Sequence, residues 1–406
     1  MSKIIFVNRF YCPDQSATSQ LLTDLTTKLD FDSNVEIVVV TSRRVMSDPN
    51  ISLNSEDIVD GVNVKRVYTT NFGKNVLLGR LLDFFFFYIT SFFMLLRIAN
   101  KNDVVVVKTD PPLISVTSSI AVRLKGAKQI NWLQDIYPEV ASRLGVKGFN
   151  GFLGKLLINI RNYTLRKALF NVVLGDVMFS HVESLGIESN KIKIIHNWSD
   201  GEVIKPIDKE SNHLIKEWGL ENKFVVCYSG NMGRAHEFDT ILDAIEKLVS
   251  NKNIIFLFIG DGAKKQWLVD QSELRNLNNM MFKPYQDFSQ LSYSLSVGDV
   301  HLISLIPELE GLIVPSKFYG VMAAGRPSFF IGSEKAEIKN MLDECNCGQS
   351  FLIGETDKLS REIESLSRSQ ESNTEMCRRA RLSYLEKYDK PVAIRKWQKL
   401  LSIALN

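Results

Sequence analysis

The stretch KFVVCYSGNMGRAHEFDTILDAI, residues 223–245, decides the fold. Phe224 to Tyr228 are apolar at consecutive positions, which marks a strand buried on both faces. Gly230 and Gly233 then allow a tight turn, and the chain opens into a helix. A strand that turns directly into a helix belongs to a parallel sheet covered by helices. Similar apolar runs recur outward in both directions: KIIFVN, VEIVVVT, DVVVVK, KQINWL, FNVVLG and KIKIIH before it, NIIFLFIG, DVHLISL and PSFFIG after it. The polar segment WSDGEVIKPIDKESN, 198–212, separates the two sets and reads as a linker. The pattern predicts two doubly wound α/β domains, residues 1–200 and 201–390, whose ligands bind beyond the carboxyl ends of the strands.

A chain of 406 residues with 45% hydrophobic and 23% charged side chains is globular in composition and too long for a single core. Its net charge of +3 does not by itself point to nucleic acid. The charge is unevenly spread, however. Residues 61–170 hold 16 Lys/Arg against 5 Asp/Glu, which favours a membrane surface or a phosphate-bearing ligand. The five cysteines are scattered, and Cys345-Asn346-Cys347 has neither zinc spacing nor a nearby histidine. A reduced, cytoplasmic setting follows, and MSK leading straight into a strand predicts no signal peptide. His181, His213 and His301 lack partners at metal-ligand spacing; His301 reads as a strand-end residue near the site, the other two as surface.

LLDFFFFYITSFFMLLRI, 81–98, is the most apolar segment. Its charge-free run, Phe84 to Leu96, covers thirteen residues, short of the ~20 that span a bilayer. An all-apolar helix is either core or lipid-facing. The surrounding positive charge favours a helix lying in the membrane interface, with Phe84, Phe85, Phe92 and Phe93 as lipid contacts.

The loops after the strands carry the chemistry. In GNMGRAH, Gly230, Asn231 and Gly233 permit close backbone approach, and Arg234 and His236 can reach an anion. Gly260 and Asp261 in GDGAKK suit a nucleotide-base wall, although such glycines also serve a bend alone. In PSKFYGVMAAGRP, 315–327, Ser316 can cap a short helix and Gly325 with Pro327 can stop it, which places Lys317 in its first turn. Glu308 and Glu310 precede it.

Taken together, YSGNMGRAHEFDTILDAI, FLFIGDGAKK, GLIVPSKFYGVMAAGRPSFFIG, WLQDIYPEVASRLG and IIHNWSD resemble a family 4 glycosyltransferase of the GT-B fold. The likeness is to the bacterial surface-polysaccharide branch that includes N-acetyl-fucosamine transferases of the O-antigen type. It implies two Rossmann-like domains facing across a cleft, with a closing helix, 391–406, returning to the first. It also implies a nucleotide-sugar donor, UDP rather than GDP, held mainly by the second domain. The acceptor, a lipid-diphosphate-linked saccharide, would be held mainly by the first domain. Transfer would be retaining and metal-independent, without a cofactor, by a protein peripheral on the inner face of the plasma membrane.

On that resemblance Arg234, Lys317 and Ser316 face the donor diphosphate, joined by Gly230, Asn231, Gly233, His236, Gly260, Asp261 and Tyr319. Asp135, Gln134 and Glu310 are the catalytic candidates, and Asp14, Thr18, Ser19 and Glu139 the acceptor-side ones. Three departures stand out. Gln134-Asp135 replaces a His-Asp pair, Asn231 takes an arginine's place, and Gly320 stands where many members have a ribose-binding glutamate, which leaves Glu310 as the carboxylate for donor hydroxyls. Epimerases and hydrolases of nucleotide sugars use two such domains as well, and a non-catalytic nucleotide-sugar-binding partner in polysaccharide assembly is the third alternative.

Overall fold

The computed structural model describes residues 2–46, 48, 50–72, 77–146, 148–149 and 151–406. The chain forms two units, 2–196 with 393–406, and 197–392. In the first, eight strands make one sheet: β1 (Ser2–Val7), β2 (Val35–Ser42), β3 (Glu56–Val59), β4 (Val62–Val67), β5 (Val104–Lys108), β6 (Lys128–Trp132), β7 (Phe170–Val173) and β8 (Ile192–Ile194). Their order is β3-β4-β2-β1-β5-β6-β7-β8, parallel except for the β3–β4 edge hairpin. The order reverses at β1, so the loops after β1 and β5 flank the switch point where such sheets bind ligands.

The second unit has a six-stranded, fully parallel sheet ordered β11-β10-β9-β12-β13-β14. Its strands are β9 (Phe224–Ser229), β10 (Ile254–Ile259), β11 (Met280–Lys283), β12 (Val300–Ser304), β13 (Ser328–Gly332) and β14 (Gly348–Leu352). Every residue of β12 and β13 is buried, as a strand covered on both faces requires.

The polar segment 198–212 is not a free linker but part of the second unit. Trp198 and Ile204 are buried, Arg381 donates to the carbonyls of Gly201 and Ile204 at 2.9 Å each, and Tyr384 Oη donates to Ser199 O at 2.6 Å. The closing helix, Lys390–Leu405, returns its distal part to the first unit, where the Trp397 ring lies 4.7 Å from that of Trp132.

The aromatic segment is one helix, Leu77–Ile98, longer than its charge-free run predicts and apolar enough in length and composition to cross a membrane. It does not stand free of the fold, because Asp83, Phe87, Ser91 and Leu95, four residues apart, are all buried. Of the four lipid-contact candidates, Phe84 and Phe92 are half-buried: Arg9 lies over the Phe84 ring, and Phe92 packs against the sheet core. Phe85 and Phe93 face out, 53% and 62% exposed.

Candidate active site

In the second unit the loops after β9 and β10 are laced together. Gly230 N–H donates to Ile259 O at 2.9 Å, Met232 N–H to Asp261 O at 2.8 Å, and Lys264 N–H to Met232 O at 2.9 Å. The glycine at 260 is required by that closeness: with φ +134°, a Cβ there would lie 2.2 Å from Gly230 O. Asn231, Arg234 and Asp261 are exposed on this double loop, and Arg234 has no ion-pair partner among the described residues. Gly233 sits against the Asn231 amide.

Lys317 reaches the floor of this loop pair. Its Nζ stands 3.7 Å above the Tyr228 ring, and a Cβ at Gly230 would meet its Cε at 3.5 Å and Nζ at 3.7 Å. The ammonium nitrogen is buried and has no hydrogen-bond partner among the described residues. Burial pulls its pKa down to about 7, with Cys227 opposing. A desolvated cation without a counter-charge is costly, and its position beside a glycine turn suits an incoming anion.

Other residues expected around this loop play different parts. His236 cannot supply positive charge: it is buried, and burial together with Lys317 pulls its pKa down to about 3. Its Nδ1 lies 2.6 Å from Ser304 O, and a carbonyl only accepts, so Nδ1 carries the proton and Nε2 is left as an acceptor. Ser316 is exposed, has helical torsions (φ −64°, ψ −22°), and makes no side-chain cap. Tyr319 is fully buried in the core, its ring 5.7 Å from that of Tyr388, and so is no donor contact.

Gly320 lies on the same packed face; a Cβ there would touch Leu295 and Ser199 at 3.5 and 3.6 Å. Glu310 is half-buried with Oε1 unpartnered among the described residues. Burial and the Glu337 charge push its carboxyl up to about 8 against the backbone N–H groups of Glu337 and Ser333. At neutral pH it is mostly a carboxylic acid, able to donate as well as accept. His301 is a buried residue near the start of β12, its Nε2 bonded to Leu295 O at 2.8 Å, and not at the strand's ligand end.

In the first unit a buried charge cluster gathers after β1, β5 and β6. Lys108, the last residue of β5, is 1% exposed; Nζ donates to Thr18 O at 2.8 Å and lies 4.1 Å from the Trp132 ring centre. Burial pulls its pKa to about 7 although Asp110 and Asp135 both favour its charge. Asp135 is pushed up to about 6, by burial first and by Asp110 second, with Lys108 opposing. Asp110 is raised by burial and restrained by Arg9, Lys108 and a hydrogen bond with Thr18. The Gln134 and Asp135 N–H groups both point to Thr109 Oγ1, at 3.1 and 3.4 Å. Gln134 itself is buried, and Asp135 is the more open of the two.

Three acceptor-side candidates are committed elsewhere. The Asp14 carboxylate is buried and accepts from Ser16 N–H at 2.8 Å and from Met46 N–H, so it shapes its loop. Ser19 is fully buried and donates to Asp14 O at 2.8 Å. Glu139 is ion-paired with Arg161. Thr18 remains half-open beside Lys108 and Asp110. Sequence reasoning did not single out Lys108, Asp110 or Arg9, although Arg9 and Asp110 stand in the loops NRFYCPDQSATSQ and TDPP that follow the apolar runs KIIFVN and DVVVVK.

Residues 210–382 match the family model described as glycosyl transferases group 1. WbjE of Pseudomonas aeruginosa, named a probable glycosyltransferase, is 30% identical over 276 residues, 66% of this chain and 67% of its own. WcaI of Escherichia coli (strain K12), which carries the name of a colanic acid biosynthesis glycosyl transferase, is 26% identical over 257 residues, 61% of this chain and 62% of its own. Among solved structures, Anabaena Alr3699/HepE in complex with UDP and glucose superposes with a TM-score of 0.72 at 16% identity, over 99% of this chain and 100% of that one. That likeness shows the fold, which is GT-B.

Proposed function

Since the chain belongs to the group 1 glycosyl transferases, we propose that it moves a sugar of the N-acetyl-deoxyhexosamine type from UDP to a lipid-linked saccharide in surface-polysaccharide biosynthesis. The observation that carries the donor side of this reading is the buried Lys317 ammonium against the Gly230 turn, without a hydrogen-bond partner among the described residues. Breaking the glycosidic bond to UDP leaves negative charge on the departing diphosphate, and a fixed cation there lowers the barrier. Lys317 takes that place, with the exposed Arg234 as a second cation. In this reading His236 Nε2 and the Glu310 carboxyl bind donor hydroxyls rather than phosphate.

On the acceptor side Asp135 takes the hydroxyl proton as the new C1–O bond forms. The transfer proceeds with retention and needs no metal, since side-chain cations supply the charge. The UDP complexes of HepE and the colanic acid biosynthesis name of WcaI support the donor and pathway class. Incubating the purified protein with a panel of UDP-sugars tests the reading. UDP release is expected only when a lipid-linked saccharide is added; steady release from donor alone would make it a hydrolase or epimerase.

The exposed apolar side chains of the first unit support a peripheral place on the inner face of the plasma membrane. Beside Phe85 and Phe93, they include Leu124 and Phe152, the latter 85% exposed, within the basic stretch 61–170. Phe85→Ser/Phe93→Ser is expected to lower co-sedimentation with anionic vesicles about tenfold without lowering the melting temperature. Unchanged sedimentation would remove that helix from the membrane contact.

A further inference from the structure

Resting on the reading of the chain as a transferase with a lipid-linked acceptor, we infer that the first unit holds a separate seat for the acceptor's phosphate group, in a pocket of about 240 Å³ lined by Arg9, Arg44 and Arg80. The pocket opens after β1, β2 and β4, at the carboxyl ends of the strands, with Thr70, Asn71 and Phe84 completing its wall.

The two carboxylates on that wall are already engaged. Asp83 accepts from Thr70 Oγ1 at 2.7 Å and Phe72 N–H at 3.1 Å and lies 3.5 Å from Arg9. Asp110 is bonded to Thr18, and its burial favours the neutral acid. Among the described lining residues, three guanidinium groups stand against two carboxylates. Arg9 is held in place, its guanidinium carbon 5.0 Å from the ring centres of both Phe10 and Phe84. Its Nε is buried and lacks a partner among the described residues. Forked, planar donors fixed by aromatic rings suit phosphate oxygens better than carboxylates or neutral sugars.

The apolar helix supplies the second half of the argument. Arg80, Asp83 and Phe84 line the pocket, while Leu81, Leu82 and Phe85, interleaved with them, are exposed on the outside of the same turn. An oxyanion pocket that borders an apolar surface fits an amphiphile, a phosphate or diphosphate carried on a lipid. The donor diphosphate has its own cation, Lys317, in the other unit.

Titration calorimetry with farnesyl diphosphate, inorganic pyrophosphate and UDP separates the possibilities. Farnesyl diphosphate is expected to bind more tightly than pyrophosphate by about tenfold or more, the apolar tail adding to the phosphate contacts. Arg44→Gln/Arg80→Gln is expected to weaken both about tenfold or more while UDP affinity stays unchanged. The single Arg80→Gln variant, at an exposed position, gives the same test if the double variant does not fold. Equal affinity for the two diphosphates would overturn the lipid part, leaving a site for free phosphate. Undiminished binding in the variants, or loss of UDP binding with it, would overturn the seat. A wild-type protein that binds farnesyl diphosphate but no UDP would instead refute the transferase reading and leave the seat standing.

Discussion

Lys317→Met is expected to weaken UDP binding at pH 7 by about thirtyfold to hundredfold, the range of one or two charge-assisted contacts. Methionine keeps the length of the stem across the Tyr228 ring and removes only the ammonium, so the empty protein should melt no lower. A buried cation with no hydrogen-bond partner among the described residues, held only over the Tyr228 ring, contributes little to stability that a packed apolar chain does not. The pH profile gives the prediction a second, independent edge. In the empty site burial holds the Lys317 pKa at about 7; a bound diphosphate restores a counter-charge and raises it. Binding then takes up a proton.

Affinity is accordingly full below pH 7 and falls about tenfold per pH unit above it, until the pKa of the complex is reached. UDP itself loses its last phosphate proton near pH ~6, which sets the rising limb below the peak. His236 adds no slope in this window, because its pKa of about 3 leaves it neutral throughout, and burial keeps the adjoining Cys227 thiol protonated. Calorimetry from pH 6 to 9 should show the falling limb in the wild type and not in the variant. An equally steep fall in Lys317→Met would assign the proton to another group and sink the phosphate role.

How far the sequence speaks differs between the fold and the site for identifiable reasons. Strands such as Val104–Lys108 and Ile254–Ile259 are legible because burial on both faces leaves no polar alternation to confuse them. The edge hairpin Glu56–Val59 with Val62–Val67 and the short Met280–Lys283 lack such runs and pass unnoticed. At the site, Lys317 is singled out only by the family resemblance, whereas the turn glycine at 260 is readable because backbone geometry needs it locally. His236 is not, since whether it carries charge depends on Ser304 and Lys317, far away in sequence.

The same limit applies to Phe84 and Phe85. In an all-apolar run no period distinguishes neighbours, and only packing shows that one lies under Arg9 while the other faces out. Lys108 is hidden for the opposite reason: a lysine closing a strand looks solvated until the tertiary fold covers it with Trp132 and the Thr18 carbonyl.

The strongest effect on turnover is expected at Asp135. Asp135→Asn preserves shape and hydrogen-bonding capacity but cannot take a proton, so transfer should slow about a hundredfold to ten-thousandfold, with UDP affinity unchanged. If Asp135 accepts the acceptor's proton, wild-type turnover rises with pH through about 6, as the carboxylic acid ionises. The neighbours then move that limb in opposite directions. Lys108 favours the carboxylate, so Lys108→Met should shift the limb to higher pH; Asp110 disfavours it, so Asp110→Asn should shift it lower. Opposite shifts cannot arise from a merely structural loss, which would scale the rate at every pH alike. Should Asp135→Asn retain its rate within about twofold, the proton leaves by another route, and the cluster of Lys108, Asp110 and Asp135 serves to shape the loops after β5 and β6 rather than to catalyse.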